Sequence, residues 1–169
     1  HALVDIVRSR KALYVGLSKY PADVARKAYA YLAAHDVPCL IYQGRYNMLT
    51  REPEELIIPQ AHQHGAGFIA FSPLAQGLLT DRYLNGIPQD SRMHRNTSLS
   101  PNTLNPDLIS KLHLWNQIAA NRNQSLSEMA LSWVLAQRGI TSVLIGASSV
   151  EQLERNLRCV HATPLIQAL

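Results

Sequence analysis

The strongest constraint on the fold is a set of short apolar runs rich in β-branched and aromatic residues, which occupy positions 13–17, 38–42, 67–71 and 141–145. Such runs are typical of the buried strands of a parallel sheet. Segments with helical spacing of apolar residues lie around them, at 1–11, 21–34, 52–64, 105–122, 126–137 and 149–160, whereas 74–104 is mostly loop. Strands that alternate with helices predict right-handed βαβ units. Two architectures stay open: a small doubly wound sheet, and half of an eight-stranded barrel whose complete form needs roughly 250 residues.

Composition narrows the class of protein. With 169 residues and 47% hydrophobic content, the chain is long enough for one domain with a core. No stretch reaches the roughly 18 apolar residues of a membrane span, and the +4 net charge is spread without the basic stripe that nucleic-acid binding requires. We therefore predict neither a membrane nor a nucleic acid as partner. Two cysteines, Cys39 and Cys159, cannot form a disulfide framework, which favours a cytoplasmic protein.

The first residues already show helical spacing and include no initiator Met, since the chain opens His-Ala-Leu-Val-Asp-Ile-Val. A natural domain rarely starts inside a helix. We therefore expect the chain to be a piece of a longer protein.

Two glycine-containing segments invite a phosphate-binding interpretation. Gly65-Ala66-Gly67 has the letters of a dinucleotide fingerprint but follows a helix and opens a strand, the reverse of that motif. We interpret it as a helix C-terminal glycine leading into the third strand. The segment 145–149 has the better context, because small residues lead from the fourth strand into a helix whose free N–H groups suit a phosphate. The alternative is a capping box formed by Ser149 and Gln152 alone.

Other candidates are weaker when judged from the residues alone. Phe71, at the end of the third strand, could stack on a planar ring or simply be a core residue before a turn. Arg92 could clamp a phosphate, although a solvated loop arginine is the commoner case. The seven histidines show no metal-ligand spacing with the cysteines, so we predict no metal site. No acid–base pair is evident.

Taken together, the segments resemble the aldo-keto reductases, most closely the bacterial glyceraldehyde-3-phosphate/methylglyoxal reductase branch, with a relation to potassium-channel β-subunits. The resemblance extends from residue 1 to about 160. The segments that carry it are Tyr14-Val15-Gly16-Leu17-Ser18, Tyr46-Asn47, the run 71–80, Gly86-Ile87-Pro88 with Ser91-Arg92, and Ile145-Gly146-Ala147-Ser148 with Glu151-Gln152-Leu153 and Asn156.

The family fold is a (β/α)8 TIM barrel. The resemblance implies that residues 1–169 are the C-terminal half of one barrel domain and supply strands five to eight. It also implies a role in the NADP(H)-dependent reduction of small aldehydes. A half barrel would leave strands five and eight as open edges, so we predict a homo-oligomer.

The resemblance implies a part of the NADP(H) site for each matching position. Ser18 and Gln43 would bind the nicotinamide carboxamide, and Phe71 would stack on its ring. The segment of Ser72, Pro73, Leu74, Ala75 and Gln76 would line the pyrophosphate, with Arg82 and Arg92 closing over the phosphates. The adenosine end and its 2′-phosphate would be held by Gly146, Ser148, Gln152 and Asn156.

The chain also departs from the family pattern. Arg155 stands where Glu is usual, Lys19 where Asn or Arg is common, and Asp81 where Gly is usual. The family's catalytic Asp, Tyr, Lys and His precede residue 1, so no catalytic residue is assigned and the isolated chain is predicted to be inactive. The alternatives are a non-catalytic NADP(H)-binding or channel-β-like subunit, and an inactive fragment.

Overall fold

The computed structural model describes residues 1–89 and 100–165. Helices and strands alternate as the apolar pattern predicts. The helices are α1 (Ala2–Arg8), α2 (Ala22–Ala33), α3 (Ile57–Gln63), α4 (Pro106–Asn121), α5 (Leu126–Ala136) and α6 (Val150–Leu157). The strands are β1 (Val15–Ser18), β2 (Cys39–Arg45), β3 (Gly67–Phe71) and β4 (Ile140–Val143). Single 3₁₀ turns cover Glu52–Glu54, Ala75–Gly77, Asp81–Tyr83, Pro101–Thr103 and Arg158–Val160.

The strands form one parallel sheet in the order β1-β2-β3-β4. Sequential order means that each strand is followed by a crossover to its immediate neighbour, and all strands end at the same edge. In this sheet β1 and β4 are the edge strands. The sheet is therefore consistent with part of a barrel, in which loops at the C-terminal edge carry the chemistry.

The two faces of the sheet differ sharply. Leu17, Tyr42 and Phe68 are matched across the register and are at most 3% exposed, so they form the core beneath the helices. Gly44 is on this crowded face, because a Cβ at Gly44 would lie 2.6 Å from Cζ of Phe68. Side chains alternate along strands, so Gln43 and Arg45 must project from the opposite, open face.

Local signals explain several helix boundaries. Ser125 caps α5 through a full capping box with Glu128, as the spacing Ser125-Leu126-Ser127-Glu128 predicts. Gly65 follows α3 with a φ of 71° before β3 begins, which confirms its interpretation as a helix-ending glycine and not a dinucleotide motif.

Some predicted boundaries are wrong. The first helix ends at Arg8 and not at residue 11, and the first strand begins at Val15, because Leu13 and Tyr14 are 82% and 65% exposed and do not join the buried run. The segment 52–64, by contrast, is interrupted as Pro53 and Pro59 predict, with a 3₁₀ turn before α3. The break places Pro59 in the first turn of α3, where its missing N–H costs no helical hydrogen bond.

Both cysteines are buried and free, as expected for Cys39 from its apolar run. Burial raises the pKa of each thiol above its ordinary value. Within residues 1–89 and 100–165, no helix is both long enough and apolar enough to cross a membrane.

Candidate functional site

The turn that follows β3 has an unusual backbone. Ser72, Ala75 and Gln76 have φ angles of 53°, 47° and 60°, in the left-handed region that residues with a Cβ rarely adopt. Such conformations persist only where the surrounding structure enforces them, and they cluster at functional sites. The turn therefore marks the C-terminal end of β3 as a candidate site.

A buried side chain holds this turn in place. Asn47 is 1% exposed, and its Nδ2 donates to the carbonyl oxygen of Ser72 at 2.9 Å. Its Oδ1 accepts from the backbone N–H of Leu49 at 2.9 Å. Asn47 thus links the end of β2 to the strained turn after β3. Sequence reasoning noted Asn47 only as part of the family resemblance and missed this positioning role.

Next to Asn47, Tyr46 anchors the same loop to the core. Its hydroxyl donates to Oε1 of Glu54 at 2.7 Å, and Glu54 also accepts two hydrogen bonds from Arg51 at 2.7 Å and 3.0 Å. The ring of Tyr46 stacks on Trp133, with centroids 5.5 Å apart, and Arg51 lies 5.3 Å from the centroid of that same indole. This network fixes the C-terminal end of β2 against α5.

Glu54 gives the network a pH dependence. The hydrogen bond from Arg51, followed by that from Tyr46, lowers the pKa of Glu54 from its ordinary value of 4.5. A carboxyl whose folded pKa is depressed stabilises the folded state above its unfolded pKa and loses that contribution as the pH falls through the folded value.

We therefore expect the free energy of unfolding to decline as the pH falls from about 5 to about 3, and to decline less in Glu54→Gln. Urea unfolding curves across that range measure this. Glu55→Gln, which removes an exposed carboxylate nearby, is the matched control and should leave the slope of the wild type unchanged. Equal slopes for wild type and Glu54→Gln would contradict the expectation.

The second turn at this edge links β4 to α6. The Oγ of Ser149 accepts from the N–H of Gln152 at 3.2 Å and caps α6. Oε1 of Gln152, however, accepts from the N–H and Oγ of Ser148 at 2.7 Å and 3.0 Å. The pair is therefore not the reciprocal capping box that sequence reasoning considered. Gly146 precedes it, and a Cβ there would meet no atom within 4 Å.

The two turns enclose a cavity of about 640 Å³ at the C-terminal edge of the sheet. We call it the strand-end cavity. It is lined by Ser72, Pro73, Leu74, Gln76, Gly77, Thr80, Arg82, Tyr83, Leu144, Ile145, Gly146, Ala147, Ser148 and Gln152. Eight of the predicted site residues are in this lining, from segments about 70 residues apart in sequence. Backbone segments with small residues and the guanidinium of Arg82 line it, and N–H groups with a guanidinium are the chemistry that binds phosphates.

Three more predicted residues gather on the open face beside the cavity. Ser18 is the register partner of Gln43, and Phe71 is the partner of Arg45. Because Gln43 and Arg45 are two residues apart, all of these side chains share one face. A planar group could lie against Phe71 with the hydroxyl of Ser18 and the amide of Gln43 on the neighbouring strands.

Cations already approach the ring of Phe71. Nζ of Lys19 lies 5.2 Å from the ring centroid, and Cζ of Arg45 lies 5.9 Å from it. Sequence reasoning had noted Lys19 only as a departure from the family pattern and had not considered Arg45. The strand register, which places Arg45 opposite Phe71, could have revealed the second contact.

The remaining predicted residues lie elsewhere. Ala75 is partly buried in the turn after β3, and Asn156 in α6 is 2% exposed. The Nδ2 of Asn156 is a buried donor with no hydrogen-bond partner within the described part of the chain. Arg155 on α6 and Asp81 in a 3₁₀ turn are both exposed. Arg92 lies outside the described residues.

The buried tyrosines do not resemble proton donors. Burial raises the pKa values of Tyr29, Tyr42 and Tyr46, and Glu54 raises that of Tyr46 further. A general acid functions best with a pKa near the working pH, so these hydroxyls are structural. Within residues 1–89 and 100–165, no group of three acidic, His or Cys side chains could hold a metal ion.

Comparison with known proteins gives consistent matches along almost the entire chain. Residues 1–167 match the Aldo/keto reductase family. The chain is 47% identical over 165 residues to the L-glyceraldehyde 3-phosphate reductase of Escherichia coli strain K12, and 46% identical to the protein of the same name from Escherichia coli O157:H7. Each match covers 95% of this chain but 48% of the relative. The chain therefore spans about half the length of the curated relatives it matches.

Proposed function

This chain belongs to the aldo/keto reductase family, and from that premise we propose that it supplies the cofactor-binding half of an NADP(H)-dependent reductase of small aldehydes. The family implies a (β/α)8 barrel, and the parallel sheet is consistent with part of one. On this proposal residues 1–169 are the C-terminal half of one barrel domain, and β1 to β4 are its strands five to eight. The candidate substrates are glyceraldehyde 3-phosphate, which appears in the names of the relatives, and methylglyoxal.

The observation that carries the proposal is the strand-end cavity. Two turns after neighbouring strands bring eight predicted residues together at the C-terminal edge of a parallel sheet. That edge is where barrel enzymes bind their ligands, often with a phosphate in the loop after the last strand. The side chain of Arg82 and the N–H of Ser148 are the donors we assign to the cofactor phosphates, and Oε1 of Gln152, which accepts from that N–H at 2.7 Å, would release it on binding. The open space at Gly146 permits close approach of a ligand to the backbone.

The other parts of the cofactor have fitting partners. Ser18 and Gln43 would hold the carboxamide, and Phe71 would pack against the nicotinamide ring. The Nδ2 of Asn156 is a buried donor with no hydrogen-bond partner among the described residues, and it would bond adenosine only where binding exposes it. When bound, NADPH supplies the hydride. The residues of this chain bind and orient the cofactor and exclude water around it.

The proton donor belongs to the other half of the proposed barrel. The tyrosines with raised pKa values are buried or hydrogen-bonded in structural roles. We therefore propose that the chain by itself is catalytically inactive, although it retains cofactor-binding groups.

The test is a fluorescence titration of the purified protein with NADPH and with NADH, together with an assay on methylglyoxal and glyceraldehyde 3-phosphate. We expect NADPH to bind at least about ten-fold more tightly, because charge-assisted hydrogen bonds to the 2′-phosphate are lost with NADH. A verified 18.8 kDa chain should show no turnover. Equal affinity for both dinucleotides, or no binding of either, would contradict the cofactor assignment. Turnover by the 18.8 kDa chain would contradict its inactivity.

A further inference from the structure

Two cations meet over one ring on the open face of the sheet. Lys19 follows β1, where its φ of 60° and the hydrogen bond from its N–H to the carbonyl of Gln43 turn the chain sharply. Its ammonium thereby reaches the ring of Phe71, two strands away, while Arg45 approaches the same ring from β2. We call Lys19 and Arg45 the cation pair.

The cation pair has no acidic partner in the part of the chain that the structure describes. Within residues 1–89 and 100–165, Arg51 and Glu54 form the one ion pair, and no carboxylate oxygen lies within 4.0 Å of Lys19 or Arg45. Both side chains are exposed and approach the same ring, at 5.2 Å and 5.9 Å from its centroid, and both are cationic residue types. An anion beside this ring would gain charge-assisted hydrogen bonds from either side chain. The arrangement is therefore more favourable with an anion than without one.

The cation pair is separate from the phosphate-binding groups of the strand-end cavity. That cavity is lined by segments that follow β3 and β4, and neither Lys19 nor Arg45 contributes to it. The pair extends from the ends of β1 and β2, with Phe71 between it and the cavity. Neighbouring strands are about 4.8 Å apart, so the cation pair is displaced from the cavity by one to two strand spacings. Phosphates bound in the cavity therefore do not occupy the position beside the cation pair.

We propose that Lys19 and Arg45 bind an anionic substituent of the aldehyde, a phosphate or a carboxylate, and select such aldehydes over neutral ones. This inference rests on the proposed function, in which Phe71 marks the position of the nicotinamide. A carbonyl carbon that accepts hydride must lie next to that ring, and a small aldehyde bound there extends its other end only a few bonds away. The cation pair lies beside that same ring, 5.2 Å and 5.9 Å from its centroid. It is a specificity-determining pair and takes no part in proton or hydride transfer.

The first test measures binding without turnover. Glycerol 3-phosphate, a non-reactive phosphate monoester, is titrated calorimetrically into the full-length protein saturated with NADP⁺, with glycerol as the neutral partner. We expect glycerol 3-phosphate to bind and Lys19→Met/Arg45→Met to weaken it by about 10- to 100-fold, the loss expected for charge-assisted hydrogen bonds. Lys27→Met, an exposed cation on α2, is the charge-matched control and should leave the affinity unchanged.

The second test uses the complete barrel and matched substrates: glyceraldehyde 3-phosphate with glyceraldehyde, and succinic semialdehyde with butanal. In the double variant kcat/KM should fall for the charged aldehydes and stay within about two-fold for the neutral ones, and the charged-substrate preference should shrink with added salt. A larger loss of kcat/KM for glyceraldehyde 3-phosphate indicates a phosphate site, and a larger loss for succinic semialdehyde indicates a carboxylate site.

Two results would overturn the inference while leaving the proposed function intact. In the first, wild type and double variant both bind NADPH and turn over, and both show the same preference for charged aldehydes. The other is an equal loss for neutral and charged aldehydes together with weaker NADPH binding, which would assign Lys19 and Arg45 to the cofactor. Failure of the wild type to bind NADPH would instead overturn the proposed function, and the inference with it.

Discussion

Replacement of Asn47 by leucine is expected to lower the free energy of unfolding by about 2–4 kcal/mol, because it removes two hydrogen bonds of a buried side chain. The N–H of Leu49 loses its side-chain acceptor, at about 1–3 kcal/mol. The carbonyl of Ser72 loses one of two donors, at about 1 kcal/mol, and keeps the N–H of Ala75 at 2.9 Å. Leucine has a similar volume, so a cavity contributes little. Loss of the contact also frees the turn after β3 to leave its left-handed conformation, and NADPH affinity should fall as a consequence.

Urea unfolding and NADPH titration measure the two effects separately. Asn85→Leu, at an exposed position, is the control and should change stability by less than about 0.5 kcal/mol. Asn47→Asp separates the two hydrogen bonds, because it keeps the acceptor for Leu49 but places a second oxygen against the Ser72 carbonyl, so it should also destabilise. A stable Asn47→Leu variant with wild-type NADPH affinity would show that the turn does not depend on this side chain.

Replacement of Gly146 by aspartate is expected to weaken NADPH binding about 100-fold without destabilising the fold. A Cβ at this position meets no atom within 4 Å, so the side chain has room. Its carboxylate would nevertheless lie in the strand-end cavity. At about 5 Å from a phosphate and an effective dielectric constant of about 20, repulsion of unit charges is about 3 kcal/mol, or two orders of magnitude in affinity.

The matched control is Gly146→Asn, which has the same shape and no charge. It should lose much less affinity than the aspartate variant, and the difference between the two should shrink in high salt because screening weakens the repulsion. Fluorescence titration at low and high ionic strength gives both affinities. Similar losses for Asn and Asp would indicate a steric effect and would argue against phosphates near Gly146.

The four strands and the two strand-end turns were accessible from sequence because they depend on local patterns, whereas the strand order was implied only by the family resemblance. Apolar runs near 38–42 and 67–71 predict β2 and β3 closely, since their alternate side chains are buried. The first strand was placed two residues early, because Leu13 and Tyr14 are apolar yet exposed. A run of apolar residues indicates a strand, but it does not show which residues of the run are buried beneath the helices.

Contacts between distant segments could not be read in the same way. The hydrogen bond from Asn47 to Ser72 joins residues 25 apart, and the approach of Lys19 to Phe71 spans two strands. Each depends on the sheet register and on left-handed residues, which non-glycine positions do not signal. Gln152 shows the same limit at short range, because the spacing predicted a bond to Ser149 and the side chain accepts from Ser148 instead.

Because both thiols are buried, their reactivity measures local opening of the fold. Cys39 lies in β2 under the first part of the sheet, whereas Cys159 follows α6 at the other end. An exposed thiolate attacks an alkylating reagent and displaces its leaving group, so low access and a raised pKa both suppress the reaction in the closed state. Labelling rates at the two native cysteines therefore measure separately how often each end of the sheet opens locally. A ligand that bridges β3 and β4 should slow labelling of Cys159 more than that of Cys39.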